Sequence, residues 1–102
     1  LGANPEGRPA LPRFLIEVPH GDTFSDCAQA VDAFLRTGSH FLAHADWGCK
    51  DGDHRAWVVL EVESWEEARN VIPPALQGHA KVVQLNTFTR TELDDLLRRH
   101  QQ

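Results

Sequence analysis

No run of apolar residues in this chain approaches the ~18 needed to cross a bilayer as a helix, so a membrane role is not expected. Positive charge is scarce. Ten Lys and Arg stand against 15 Asp and Glu, a net charge of -5, and this argues against a nucleic-acid partner. The short cluster Arg98-Arg99-His100 does not alter that balance. Cysteine is limited to Cys27, inside a predicted helix, and Cys49, at the mouth of a turn. Two such residues do not make a disulfide framework and read as reduced thiols of a cytoplasmic protein. Gly48 and Gly52 are turn glycines, and no phosphate loop or dinucleotide fingerprint surrounds them. Neither a Ser-His-Asp spacing nor a nucleophile elbow is present. Internal repeats at solenoid periods are absent too. Methionine is missing altogether, so Leu1 is read as the product of processing or of a chosen boundary, and a removed signal peptide stays open.

What remains is an ordinary globular composition. The 102 residues are 41% hydrophobic and 25% charged, which fits one domain. A chain of this size buries roughly 60–65% of its unfolded surface, enough for a single core. Residues 1–12, with Gly2, Pro5, Gly7 and Pro9, read as an extended N-terminal arm, and 13–102 as a single α+β domain. Arg13–Val18 is predicted as the first strand, stopped by Pro19. Thr23 with Asp26 matches a capping box and opens a helix whose stripe is Phe24, Cys27, Ala28, Val31, Phe34 and Leu35, ended by Gly38. Strands are expected at His40–Trp47 and His54–Val62, joined through Asp51-Gly52 as a hairpin. Ser64 with Glu67 caps a second helix that buries Trp65, Ala68, Val71 and Ile72 and ends at Pro73-Pro74. Lys81–Leu85 is a fourth strand, and Thr89 or Thr91 starts a last helix striped by Leu93, Leu96 and Leu97.

The order βαββαβ plus a helix is the split-βαβ, ferredoxin-like arrangement: a four-stranded antiparallel sheet, order 4-1-3-2, with the first two helices on one face. Side chains alternate along strands, so Phe14, Ile16, Val18, Phe41, Ala43, Ala45, Trp47, Val58, Leu60 and Val62 should face those helices. The other face would carry Leu15, Glu17, His40, Leu42, His44, Asp46, Arg55, Trp57, Val59 and Glu61. Leaving Leu15, Leu42, Trp57 and Val59 open would create an apolar patch of the kind that marks association. A homodimer through this face is expected, the Leu93/Leu96/Leu97 helix being the alternative cover.

Over Arg13–Phe88, in element order, length and face pattern, the chain resembles the dimeric α+β barrel superfamily, which includes muconolactone isomerase and the antibiotic-biosynthesis monooxygenases. The phrases Leu-Ile-Glu-Val-Pro-His, His-Ala-Asp-Trp-Gly-Cys and Val-Ile-Pro-Pro-Ala look like those of small bacterial members. The resemblance implies a cofactor-independent isomerase or monooxygenase acting on a small enolisable molecule by proton transfer.

On the expected open face, His44 and Asp46 lie two residues apart, with Glu17 and Glu61 on neighbouring strands. An imidazole tuned by carboxylates suits general acid–base work. His44 is therefore the candidate acid or base, Asp46 its orienting partner, and Glu17 and Glu61 set the charge of the pocket. Trp57 and Leu42 would supply an apolar wall and His20 a further ligand contact. The competing reading is a hydrogen-bonded pair at a dimer interface, in a non-catalytic ligand-binding or protein-interaction module. Metal binding is the third reading, and no metal or cofactor is expected in the first two. Its donors would be drawn from His40, His44, Asp46, Cys49 and His54, with His20 as a third ligand to a His44/Asp46 pair. On a strand His40 and His44 would stand about 13 Å apart, too far to share an ion. Cys49 is otherwise a surface thiol, which Lys50 or His54 could activate.

Overall fold

The computed structural model describes residues 11–100, so most of the expected N-terminal arm, 1–12, lies outside the described residues. The chain is α+β, with an open four-stranded antiparallel sheet and a C-terminal helix. Its elements are β1 (Arg13–Pro19), α1 (Phe24–Arg36), β2 (Asp46–Trp47), β3 (Arg55–Glu61), α2 (Trp65–Val71), β4 (Lys81–Leu85) and α3 (Arg90–Arg99). Short 3-10 turns cover Leu42–His44, Cys49–Asp51 and Pro74–His79. The strand order is β2-β3-β1-β4, the expected 4-1-3-2 read from the other edge. Among the described residues no helix is long and apolar enough to cross a membrane.

All three helices start where a side-chain hydroxyl stands ready. The hydroxyls of Thr23, Ser64 and Thr89 accept from the backbone N–H of Asp26, Glu67 and Glu92, satisfying donors that a first turn leaves free. Glu67 also reaches back to the Glu63 N–H. Gly38, at φ +68, ends α1 in the left-handed region that its missing Cβ permits.

The core lies on one side of the sheet. Phe14, Ile16 and Val18 of β1 and Ala56, Val58 and Leu60 of β3 meet Phe34 of α1 and Ala68 of α2, with Leu42, Val62 and Ile72 between them. β1 and β3 alternate as expected, so Leu15, Glu17, Trp57 and Val59 lie on the other face. Val59 and Val83 are exposed there, and so are Leu93, Leu96 and Leu97 of α3, so that helix does not cover the face.

The second strand departs most from expectation. Only Asp46–Trp47 pairs as a strand, and His40–His44 turns helically, with Ala43 N–H bonded to Ser39, His44 N–H to Phe41 and the N–H of the extended Ala45 to Leu42. The Ser39 hydroxyl accepts from the Leu42 N–H, offering the backbone a local turn, and the Ala and His residues there have little strand preference to oppose it. In consequence Leu42, expected on the open face, is buried in the core, while Ala43, expected inside, is exposed. Expectations about helix faces also fail, at Ala28, which is exposed, and at three larger side chains. Phe24 is 89% exposed at the first position of α1, and Leu35 is 62% exposed because it points a helical step away from Phe34. Trp65 is 45% exposed and ties α2 to β4 by donating its Nε1–H to the Val82 carbonyl.

Phe34 is 1% exposed and packs its ring on Trp47 at 4.9 Å between centroids, so Phe34→Ala should cost about 3–5 kcal/mol in urea unfolding. Ser64→Ala, which removes only a cap, should cost about 1 kcal/mol in the same measurement.

Candidate metal centre

At one end of the sheet the β1–β3 ladder runs one residue beyond its last paired position. Pro19 lies opposite Arg55, and the His20 N–H then bonds the His54 carbonyl at 3.0 Å. Two histidines are thereby set against each other across antiparallel backbone, one leaving β1 and the other entering β3. Their rings are 5.9 Å apart, edge to face, and the His20 ring also lies 5.7 Å from that of Trp47.

The β2–β3 connection folds back over this pair. Gly48 N–H bonds the Arg55 carbonyl, and the Gly48 carbonyl accepts from both Asp51 and Asp53. A Cβ on Gly48 would come within 2.6 Å of the Asp53 carbonyl oxygen and 2.8 Å of the Trp57 ring, so the tight loop needs glycine there for space. Gly52, at φ +86, closes the Cys49–Asp51 turn. Held this way, the Cys49 Sγ lies 3.0 Å from His20 Nε2. Cys27, one turn into α1, brings its Sγ to 2.8 Å from Cys49 Sγ. The Cys27 N–H itself bonds the carbonyl of the cap residue Thr23, so the helix start fixes where that sulfur sits.

One donor atom from each of His20, Cys49 and His54 lies within 4.8 Å of the others, and all three residues are half-buried. Cys27 adds a second sulfur at the edge of this set. The Nδ1 atoms of His20 and His54 are shut off from solvent and have no hydrogen-bond partner among the described residues. Buried ring nitrogens are normally satisfied, so these two stand out, and in His20 it is the other ring nitrogen, Nε2, that faces the Cys49 sulfur. Burial, followed by the charge of His54, lowers the His20 pKa, while Asp26 pulls weakly the other way. His20 is thus held toward the neutral form, the one that can ligate. Burial, the Cys27 hydrogen bond and the Cys27 and Asp53 charges raise the Cys49 thiol, so that sulfur keeps its proton until something replaces it.

The residues expected to carry chemistry fall in different places. His20, expected to touch substrate or serve as a third ligand, is central to the sulfur–imidazole cluster. His44 lines a separate cleft of about 710 Å³ with His40, Phe41, Val59 and Glu61. The helical turn that replaces the strand brings the His40 and His44 rings to 4.9 Å rather than the separation a strand imposes. Asp46 pairs in register with Trp57 at the sheet edge. Glu17 accepts from Trp57 Nε1 and from Arg55, and the Trp57 hydrogen bond is the main influence holding its carboxyl below the usual range. Glu17 lies opposite Trp57 and Glu61 opposite Arg13, four positions apart on the ladder, so the two carboxylates do not share a site. Leu42 is in the core and offers no wall to an open-face site.

In the sequence Cys27 reads as a reduced thiol on a helix stripe, and its proximity to Cys49 depends on the loop closing over α1. The legible signal was positional: His20 and His54 each flank a predicted strand, and Cys27 falls one turn after a capping Thr. Comparison with family models, curated proteins and solved structures gives no match to this chain.

Because the loop has no room at Gly48, Gly48→Ala should destabilise the fold by about 1–3 kcal/mol in urea unfolding. It should also displace Cys49, lengthening its contact with His20 in a crystal structure, whereas Gly78→Ala, where nothing lies near, should do neither.

Proposed function

We propose that the protein binds a transition metal ion, zinc by preference, through His20, Cys49 and His54, with Cys27 as the fourth donor. The observation that carries this reading is the convergence of two thiols and two histidines at the end of the β1–β3 ladder. Sulfur and imidazole donors in a four-ligand set suit tetrahedral zinc, with ligand distances of about 2.0–2.3 Å. Two thiolates would balance the charge of a divalent ion. The donors come from the end of β1, the first turn of α1, the β2–β3 loop and the start of β3, so a bound ion would tie these elements together.

The reduced full chain should take up about one Co²⁺ or Zn²⁺, Co²⁺ giving intense tetrahedral d–d bands and a thiolate charge-transfer band. At 100 times Kd, zinc should stabilise the fold by about 2.7 kcal/mol, read as a rise in Tm. Cys49→Ser and His54→Ala should each weaken binding by more than the roughly 10–100-fold typical of losing an outer-shell partner. His79→Ala, on an exposed turn, should leave it unchanged. Weak, octahedral cobalt spectra that the variants do not alter would overturn the reading.

A second reading attaches to the other cleft. There His40, His44 and Glu61 stand over Phe41 and Val59, which supports a small-molecule site using acid–base chemistry at His44. Asp46 and Glu17 take no part in this version. We also read the sheet and its two covering helices as ferredoxin-like, with exposed Val59 and Val83 favouring contact with a second copy through the open face. Native mass spectrometry tests both points. A dimer carrying a small organic ligand that His44→Ala releases is expected, and a ligand-free monomer at micromolar concentration would contradict them.

A further inference from the structure

The two sulfurs of the cluster stand in a relation that metal binding alone does not use. Cys27 Sγ and Cys49 Sγ are free thiols 2.8 Å apart. Sulfurs joined in a disulfide lie about 2.05 Å apart, and two thiolates on one tetrahedral zinc at ~2.3 Å lie about 3.8 Å apart. The pair therefore sits between the two states, within about 1 Å of either. Neither cysteine belongs to the buried core, both residues being half-buried. Cys49 rides on a short loop while Cys27 is fixed on α1, so the small closure can be absorbed on the loop side.

We propose that Cys27 and Cys49 form a peroxide-sensitive pair whose oxidation to a disulfide releases the metal ion held with His20 and His54. The inference rests on the metal-binding reading above. Hydrogen peroxide is the oxidant. One thiolate attacks a peroxide oxygen, an S–O bond forms as the O–O bond breaks, and the departing hydroxide leaves as water after taking a proton. The second thiolate then attacks the sulfenic sulfur, the S–S bond forms, the S–O bond breaks, and a second water leaves. Two thiols and one peroxide give one disulfide and two waters, the sulfurs losing the two electrons that the peroxide oxygens gain. The metal ligand is the thiolate, so the oxidised site keeps only His20 and His54, fewer donors than the three or four of ordinary zinc sites.

The test uses the full chain, reduced, loaded with one equivalent of zinc and treated with hydrogen peroxide beside a chromophoric zinc chelator. Release of about one zinc per chain is expected, together with a mass loss of about 2 Da, loss of both alkylatable thiols and no cross-linked dimer. A thiol reductant should restore zinc uptake. In Cys27→Ser the 2 Da loss should vanish and release should slow at least tenfold. If zinc binds but stays bound under peroxide, or the thiols only gain oxygen, the switch is overturned while the metal-binding reading stands. A chain that loses 2 Da yet never binds zinc in the reduced form overturns the metal-binding reading and the release mechanism together.

Discussion

The antiparallel register of β1 against β3 is the constraint on which the rest depends. With Phe14 opposite Leu60 and Ile16 opposite Val58, the apolar set of both strands faces α1 and α2, because a shift of one residue would turn every side chain to the other face. The same register carried one step past Pro19 and Arg55 puts His20 against His54. Core and candidate metal centre thus share one cause. A sequence that buries Ile16 at 0% exposure has no freedom to place His20 elsewhere relative to His54.

Around that fixed pair the remaining donors are positioned by local devices. Thr23 starts α1 and so sets Cys27, while Gly48 and Gly52 shape the turn that sets Cys49. The aromatic wall of Trp47, packed on Phe34 behind and on His20 in front, links the cluster to the core. Four polar groups are thereby drawn together in a half-buried corner where water cannot freely satisfy them. Such a corner costs stability when empty of partners and gains from an ion that uses its donors, which gives a physical reason for reading it as a site.

Much of the fold was legible because its signals are local and strong. The capping hydroxyls of Thr23, Ser64 and Thr89, the Pro73-Pro74 stop and the alternation in Arg13–Val18 and Arg55–Glu61 all act within a few residues. His40–Trp47 misled for the same reason in reverse. Its alternation of His and Ala imitates a strand, but Ser39 bonding to Leu42 N–H and the pull of Leu42 into the core select a turn. The site was legible only in fragments: His20, Cys49 and His54 were recognised as donors, yet which histidines share an ion depends on register, and Cys27 joins them only through tertiary closure of the loop on α1. The expected His44, Asp46, Glu17 and Glu61 grouping presumes one flat strand face; with the turn at Leu42–His44, His44 and Glu61 line one cleft while Asp46 and Glu17 lie beside Trp57.

The central claim is that thiols and imidazoles of this one corner hold the ion. X-ray absorption at the zinc edge of the loaded, reduced protein tests it most directly. The account predicts a four-coordinate ion with two sulfurs near ~2.3 Å and two imidazole nitrogens near ~2.0 Å. A shell of five or six oxygen or nitrogen neighbours without sulfur would contradict it.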